Sequence, residues 1–132
     1  MAYLKPPLFV RRVFNPLAMR LGLGGAQTLV VPRRNSGGEQ VLPVIPVEHA
    51  GARYIVSTRG ESEWVKNLRA AGGRGEIRRG PFSGAFTATE IAVPDSRPVI
   101  ETYREVAGRT VEAYWKKLPD AQDHPTFRID QG

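Results

Sequence analysis

Residues 26–49 read "AQTLVVPRRNSGGEQVLPVIPVEH", and the folding of this stretch decides the architecture of the chain. An apolar, β-branched run ends at Pro32, and a second begins at Val41. Between them lie Asn35, Ser36, Gly37 and Gly38, residues that favour a tight reversal. Two such runs about a glycine-rich turn predict a β-hairpin. Pro43 and Pro46 cannot donate to a ladder, so the second strand belongs at an edge, a bulge or a gap in its sheet. Arg33 and Arg34 stand at the mouth of the turn.

Reading outward, "RYIVSTRG" (53–60) predicts a third strand and "ESEWVKNLRAAGG" (61–73) a short helix starting near Ser62 and stopping at Gly72 and Gly73. "RGEIRRG" (74–80) predicts a fourth strand. "FSGAFTATEIAV" (82–93) predicts a fifth, with Phe82, Gly84, Phe86 and Ala88 on one face. A helix start signal at Asp95 and Ser96 precedes an apolar face of Val99, Ile100, Tyr103, Val106 and Ala107. "TVEAYWKKL" (110–118) adds helical turns, and "HPTFRID" (124–130) closes as a sixth strand. Strands joined mainly by hairpins are no βαβ array. The expected fold is mainly β (α+β): a six-stranded antiparallel barrel with flanking helices.

Upstream, Val10, Val13, Phe14, Leu17 and Leu21 share a helical face, with Arg11 and Arg12 away from it. Gly22, Gly24 and Gly25 then break the chain. The expected organisation is an amphipathic helical segment over residues 1–25 and a barrel domain over 26–132. That helix has two expected destinations, the outside of the barrel or an anionic membrane surface.

At 132 residues, 41% hydrophobic and 24% charged, the composition is that of one globular domain. No segment approaches the ~20 apolar residues of a membrane span. Pro6, Pro7, Arg11 and Arg12 interrupt any secretory h-region, so the expected location is cytoplasmic, with peripheral membrane contact as the alternative. The absence of cysteine excludes disulfides, thiolate metal sites and a cysteine nucleophile. His49 and His124, the two histidines, sit in turn-like surroundings, so neither a structural metal nor a histidine-based triad is expected. A net charge of +6 favours an anionic partner. Six of its arginines fall in pairs, at 11–12, 33–34 and 78–79, and no long basic run occurs, which suits discrete phosphates better than a nucleic-acid track. No helix-turn-helix or RNP-like pattern argues for nucleic acid.

Three segments carry candidate chemistry. Backbone N–H groups of the turn "PRRNSGGEQ" (32–40) form a potential anion nest beside Arg33 and Arg34. In "VSTRGESEW" (56–64) a strand gives way to a helix N-terminus, with Arg59 beside it and Gly60 permitting close approach of a ligand. In the helix, Trp64 and Leu68 form an i, i+4 pair that can pack inward as core, but the expectation is that this helix start, with the Trp64 indole, forms one wall of a groove for an anionic ligand. Asn67, an inward amide, either ties down a loop backbone or faces a ligand. The carboxylates Glu39, Glu48, Glu61, Glu63 and Glu90 are scattered, and no acid–base pair emerges. A groove without a catalytic dyad suggests chemistry carried by a cofactor.

The combination "TLVVPRRNSGGEQVLPVIPV", "RYIVSTRGESEWVKNLRAAG" and "DHPTFRI" resembles the deazaflavin-dependent nitroreductase family over roughly residues 26–130. The resemblance implies a split β-barrel binding coenzyme F420, with FMN as the alternative cofactor. It implies a deazaflavin ring along Leu42 and Pro43 and a phosphate-bearing tail past Arg34, Ser36, Arg59, Gly60, Trp64, Asn67 and Leu68. Arg33, Asn35 and Gly37 complete the matched turn, and Thr58 lies beside Arg59. Arg33 replaces the family's usual glycine, and Asn35 and Gln40 replace usual basic residues, which lowers the charge on the phosphate side. The implied activity is hydride transfer from the reduced coenzyme to a small electron-poor acceptor: a quinone, an activated alkene or a nitroaromatic. Tyr103, Tyr114 and Trp115 are candidates for the acceptor pocket, with a core role ahead for Tyr103. The expected state is a monomer or a homodimer. A non-catalytic lipid-binding barrel is the reading from a different class.

Overall fold

β1 (Gln27–Pro32) and β2 (Glu39–Val44) form the expected antiparallel hairpin, with Val31 opposite Gln40 and Thr28 opposite Pro43. Arg33 N–H closes it by donating to the Gly38 carbonyl at 3.0 Å. Gly37 and Gly38, at φ 69° and 75°, supply the left-handed backbone that the reversal needs. This computed structural model describes residues 26–80 and 83–131. The helix expected within residues 1–25 and the expected facing of Phe82 lie outside them.

The described residues carry seven strands, one more than the sequence pattern predicts. The run "QVLPVIPVEH" divides at Ile45 and Pro46, giving β2 and a short β3 (Val47–His49). Pro46 lacks the N–H that would carry one ladder through, and it is buried where the chain turns from one strand to the next. β4 (Ala52–Val56), β5 (Arg74–Arg78), β6 (Gly84–Glu90) and β7 (Thr126–Gln131) complete a curled, half-barrel antiparallel sheet. Its strand order is β2-β1-β5-β6-β7-β4-β3. The end strands, β2 and β3, are therefore consecutive in sequence, and no ladder joins them.

α1 (Glu63–Ala70) packs against β1 and closes the main core. That core contains Leu29, Val31, Ile55, Trp64, Val65, Leu68, Ile77, Phe86, Phe127 and Ile129. Trp64 is 6% exposed and its ring lies 5.8 Å from that of Phe127. The i, i+4 spacing of Trp64 and Leu68 thus marks the helix face that meets the sheet. Arg69 fastens the outer side of α1, bonding Glu61 at 2.7 Å and Glu90 at 2.7 and 2.8 Å. The hydrogen bonds that Arg69 donates to Glu90, supported by Glu61, raise the guanidinium above its ordinary value.

A second cluster joins α2 (Val93–Ala107) and α3 (Arg109–Lys117) to Val47 and Val56 through Val99, Ile100, Tyr103, Val111 and Trp115. α2 begins earlier than its Asp95–Ser96 signal, because Pro94 fits a first turn in which no N–H is needed. Val106, expected on the apolar face, is 56% exposed near the C-terminal end of α2.

Replacing Trp64 by alanine is expected to cost about 3–5 kcal/mol of stability, the range for emptying a large aromatic core site. Urea denaturation measures it. A loss under about 1 kcal/mol would show that the indole is not a core element.

Candidate functional site

The hairpin tip is held to α1 by the buried amide of Asn67 and by Glu63. Asn67 is 3% exposed, and its Oδ1 accepts from the backbone N–H of Arg34 at 3.1 Å and from Arg34 Nη1 at 2.7 Å. Its Nδ2 donates to Gln40 Oε1 at 2.8 Å. Arg34 Nη2 reaches Glu63 Oε2 at 2.6 Å, and Arg33 Nε donates to the Glu39 carbonyl at 3.2 Å. Around this knot lies a cavity of about 150 Å³ lined by Arg33, Arg34, Asn35, Ser36, Glu63 and Asn67. Of the two roles open to Asn67, tying down the loop backbone is the one these bonds perform.

A second cavity, of about 220 Å³, opens where β2 ends. Pro43, Val44 and Ile45 form one wall, Thr58 and Arg59 another, and Tyr103, Val111 and Tyr114 the floor from α2 and α3. The turn carrying Thr58 and Arg59 is held from both sides. Ser57 Oγ donates to the Gly60 carbonyl at 2.6 Å, and Ser62 N–H donates to the same oxygen at 2.7 Å. Gly60 has φ 80° and is buried, so a glycine stands here because the reversal needs that backbone. Ser57 N–H donates to the Pro125 carbonyl at 2.9 Å. His124 lies in a bend, as its turn-like surroundings in sequence suggest, and it is 1% exposed. Its ring nitrogens face the carbonyls of Ser57 and Leu118 at 2.8 and 2.7 Å. The same ring stacks on Trp115 with centroids 4.0 Å apart. His124 therefore splices the Ser57 turn to the end of α3.

Arg59 sits over the Tyr114 ring, 5.8 Å from its centroid, a cation–π contact at the cavity rim. Burial pushes the Tyr103 hydroxyl well above its ordinary value, with Tyr114 adding to the effect and Arg59 opposing it. Tyr103 thus stays protonated at neutral pH, a donor rather than a charge.

The second cavity takes Pro43 and Val44 from β2, and the first reaches that strand only through the Asn67–Gln40 bond. Gln40, bonded to Asn67, and Pro43, in the wall of the second cavity, are three residues apart, or about 10 Å along a strand. The structure brings Arg33, Arg34, Asn35, Ser36 and Asn67 to one cavity and Pro43, Thr58, Arg59, Tyr103 and Tyr114 to the other. Gln40 joins the first through Asn67. Leu42 packs partly buried against the main core, and Gly37 shapes the turn without lining either cavity. Trp64 and Leu68 also line neither. As a groove wall the indole expectation is corrected, because the sheet face that the indole covers would otherwise be open to water. Trp115 likewise lines neither; it borders a different hollow beside Arg97 and Arg104. Glu63 is the site residue that sequence reasoning passed over. Its position four residues before Asn67, on the same helix face, is the signal that could have found it.

Among the described residues no group of three or more His, Cys, Asp or Glu could hold a metal ion. No helix there is long and apolar enough to cross a membrane.

No family model matches the sequence, and no curated protein matches it. Solved structures do. An F420-H2 dependent reductase (FDR-A) superposes with a TM-score of 0.59 at 18% identity, covering 80% of this chain and 94% of its own. HutZ, a heme storage protein from Vibrio cholerae, gives 0.55 at 16% identity, covering 90% of this chain and 92% of its own. ChuZ of Campylobacter jejuni gives 0.55 at 14% identity, covering 97% of this chain and 55% of its own. At these identities the likeness is one of fold.

Replacing Asn67 by alanine is expected to destabilise the chain by about 1–3 kcal/mol, the cost of orphaning buried partners. It should also speed hydrogen exchange at the Arg34 amide more than at the β5 amides. Uniform acceleration would mean that Asn67 serves the whole core and not the hairpin tip.

Proposed function

We propose that the chain is a split-barrel, F420H2-dependent oxidoreductase that passes hydride from reduced deazaflavin to a small electron-poor acceptor such as a quinone, an activated alkene or a nitroaromatic. The observation that carries this reading is the pair of unlike cavities at the two ends of one segment, the first at the tip of the β1–β2 hairpin and the second where β2 ends. One is polar and arginine-lined, the other is walled by prolyl, aliphatic and phenolic groups. A ligand with an anionic tail and a flat ring needs both kinds of surface. The likeness to the F420-H2 dependent reductase adds support at the level of fold.

The donors present fit the group. Arg33, Arg34 and Ser36 would hold a phosphate, and Thr58 and Arg59, in the wall of the second cavity, would offer a hydroxyl and a guanidinium to a ligand there. Pro43, Val44 and Ile45 offer a surface without competing N–H donors at Pro43, and they exclude water from one side of the cavity. The chemistry that such a coenzyme supplies when bound is a hydride. The residues of the chain then do the orienting. The protonated hydroxyl of Tyr103 can donate to an oxygen of the acceptor, and Arg59 holds the Tyr114 ring in place at the rim.

Heme, named for one of the fold neighbours, is less well served by these cavities. Neither histidine lines them: His49 bonds Thr102 at 3.0 Å, and His124 lies between two carbonyls.

The test is titration of the purified chain with oxidised coenzyme, followed by its fluorescence. Quenching at micromolar concentrations is expected, and no change up to millimolar levels would defeat the reading. Arg33→Gln and Arg59→Gln should each weaken binding about tenfold, the worth of one charge-assisted contact, while leaving the urea midpoint in place. Flavin absorbance in the protein as purified would move the same site to FMN.

A further inference from the structure

We infer that Glu63 acts as a built-in competitor of the anionic ligand at the hairpin tip, occupying Arg34 and setting how tightly the site takes phosphate. The inference rests on the reading of that cavity as a phosphate site and adds the residue that tunes it.

The cavity offers two arginines, yet the better anchored of them is already engaged. Arg34 is positioned by Asn67 through its backbone N–H and Nη1, and its remaining terminal nitrogen ends on Glu63 Oε2 at 2.6 Å. A carboxylate in that position presents to Arg34 the same acceptor chemistry as a phosphate oxygen. Glu63 therefore reduces the cavity's charge and stands as a like charge to any incoming anion. The pair is not sealed. The side chains of Arg34 and Glu63 are 26% and 53% exposed, so the ion pair is solvent-screened and cheap to open. Asn67 holds Arg34 independently of Glu63, so the guanidinium stays at the cavity when the carboxylate swings away. Gln40, which bonds Asn67, contributes no charge to replace what Glu63 cancels. The site is thus built for exchange: one intramolecular anion leaves as one ligand anion enters.

The experiment compares the whole chain with Glu63→Gln, using inorganic phosphate as a probe by chemical-shift titration of the Arg34 amide and oxidised deazaflavin coenzyme as a second probe by fluorescence. Expected is roughly fivefold tighter binding of both probes by the variant, the scale of an exposed ion pair released. Adding Arg34→Gln should remove that gain. Equal or weaker phosphate binding by Glu63→Gln, with the urea midpoint unchanged, would overturn the inference and make Glu63 a residue that merely orients Arg34. Tighter phosphate binding with no coenzyme binding by either protein would uphold the inference while the reductase reading fails. Coenzyme binding that is the same in both proteins would leave the reductase reading standing and overturn the inference. Failure of both probes to bind either protein overturns it as well.

Discussion

A carboxamide with almost no access to water has to find its partners inside the protein, and at Asn67 that requirement organises the side of the fold where the hairpin tip meets α1. Its oxygen accepts twice from Arg34 and its nitrogen donates once to Gln40. One side chain on α1 thereby fixes both arms of the β1–β2 hairpin. The neighbouring positions on the same helix, Trp64 and Leu68, are spent on the core. α1 thus has a division of labour set by its 3.6-residue period: the indole face seals the sheet, and the Glu63–Asn67 edge meets the basic turn.

The second organising fact is a sheet that curls without meeting itself. β2 and β3 terminate the strand order and follow one another in sequence, so their shared connection at Ile45 and Pro46 lies where the sheet is open. The wall of the larger cavity is built from that stretch. α2 and α3 supply the floor because their apolar faces have to cover Val47 and Val56 in any case. The tyrosines reach the cavity as a by-product of that packing. His124, linked to Ser57 and Leu118 and stacked on Trp115, keeps the Arg59 turn and the helical floor in register.

Much of this was legible in the sequence where a signal is local. The hairpin, α1, the mainly antiparallel class and the basic turn follow from turn residues and periodicity within a few positions of one another. The division of the second strand was not, because alternation alone continues through Pro46, and the sequence does not say which of Pro43 and Pro46 stands where a ladder N–H is required. The start of α2 was misplaced by Asp95 and Ser96, side chains suited to a cap; the cap position is Ala92, and Ser96 Oγ instead bonds the Val93 carbonyl. The site was half legible. Residue types near the turn predicted Arg33, Arg34, Asn35 and Ser36, which do cluster. The expectation for Trp64 failed because an indole at a helix start looks the same in sequence whether it faces a ligand or a sheet. His124 was unreadable for a similar reason: its partners are main-chain carbonyls 67 and 6 residues away, and carbonyls carry no sequence signature.

Among the described residues no strand pairs with the outer edge of β2, and an unpaired strand edge is a template on which another backbone can zip; Val41 there is half exposed. Pro43, the fifth of the strand's six residues, breaks that template, since it has no N–H for an intruding backbone to capture. The imino acid that lines the second cavity thereby also guards the strand against unwanted pairing.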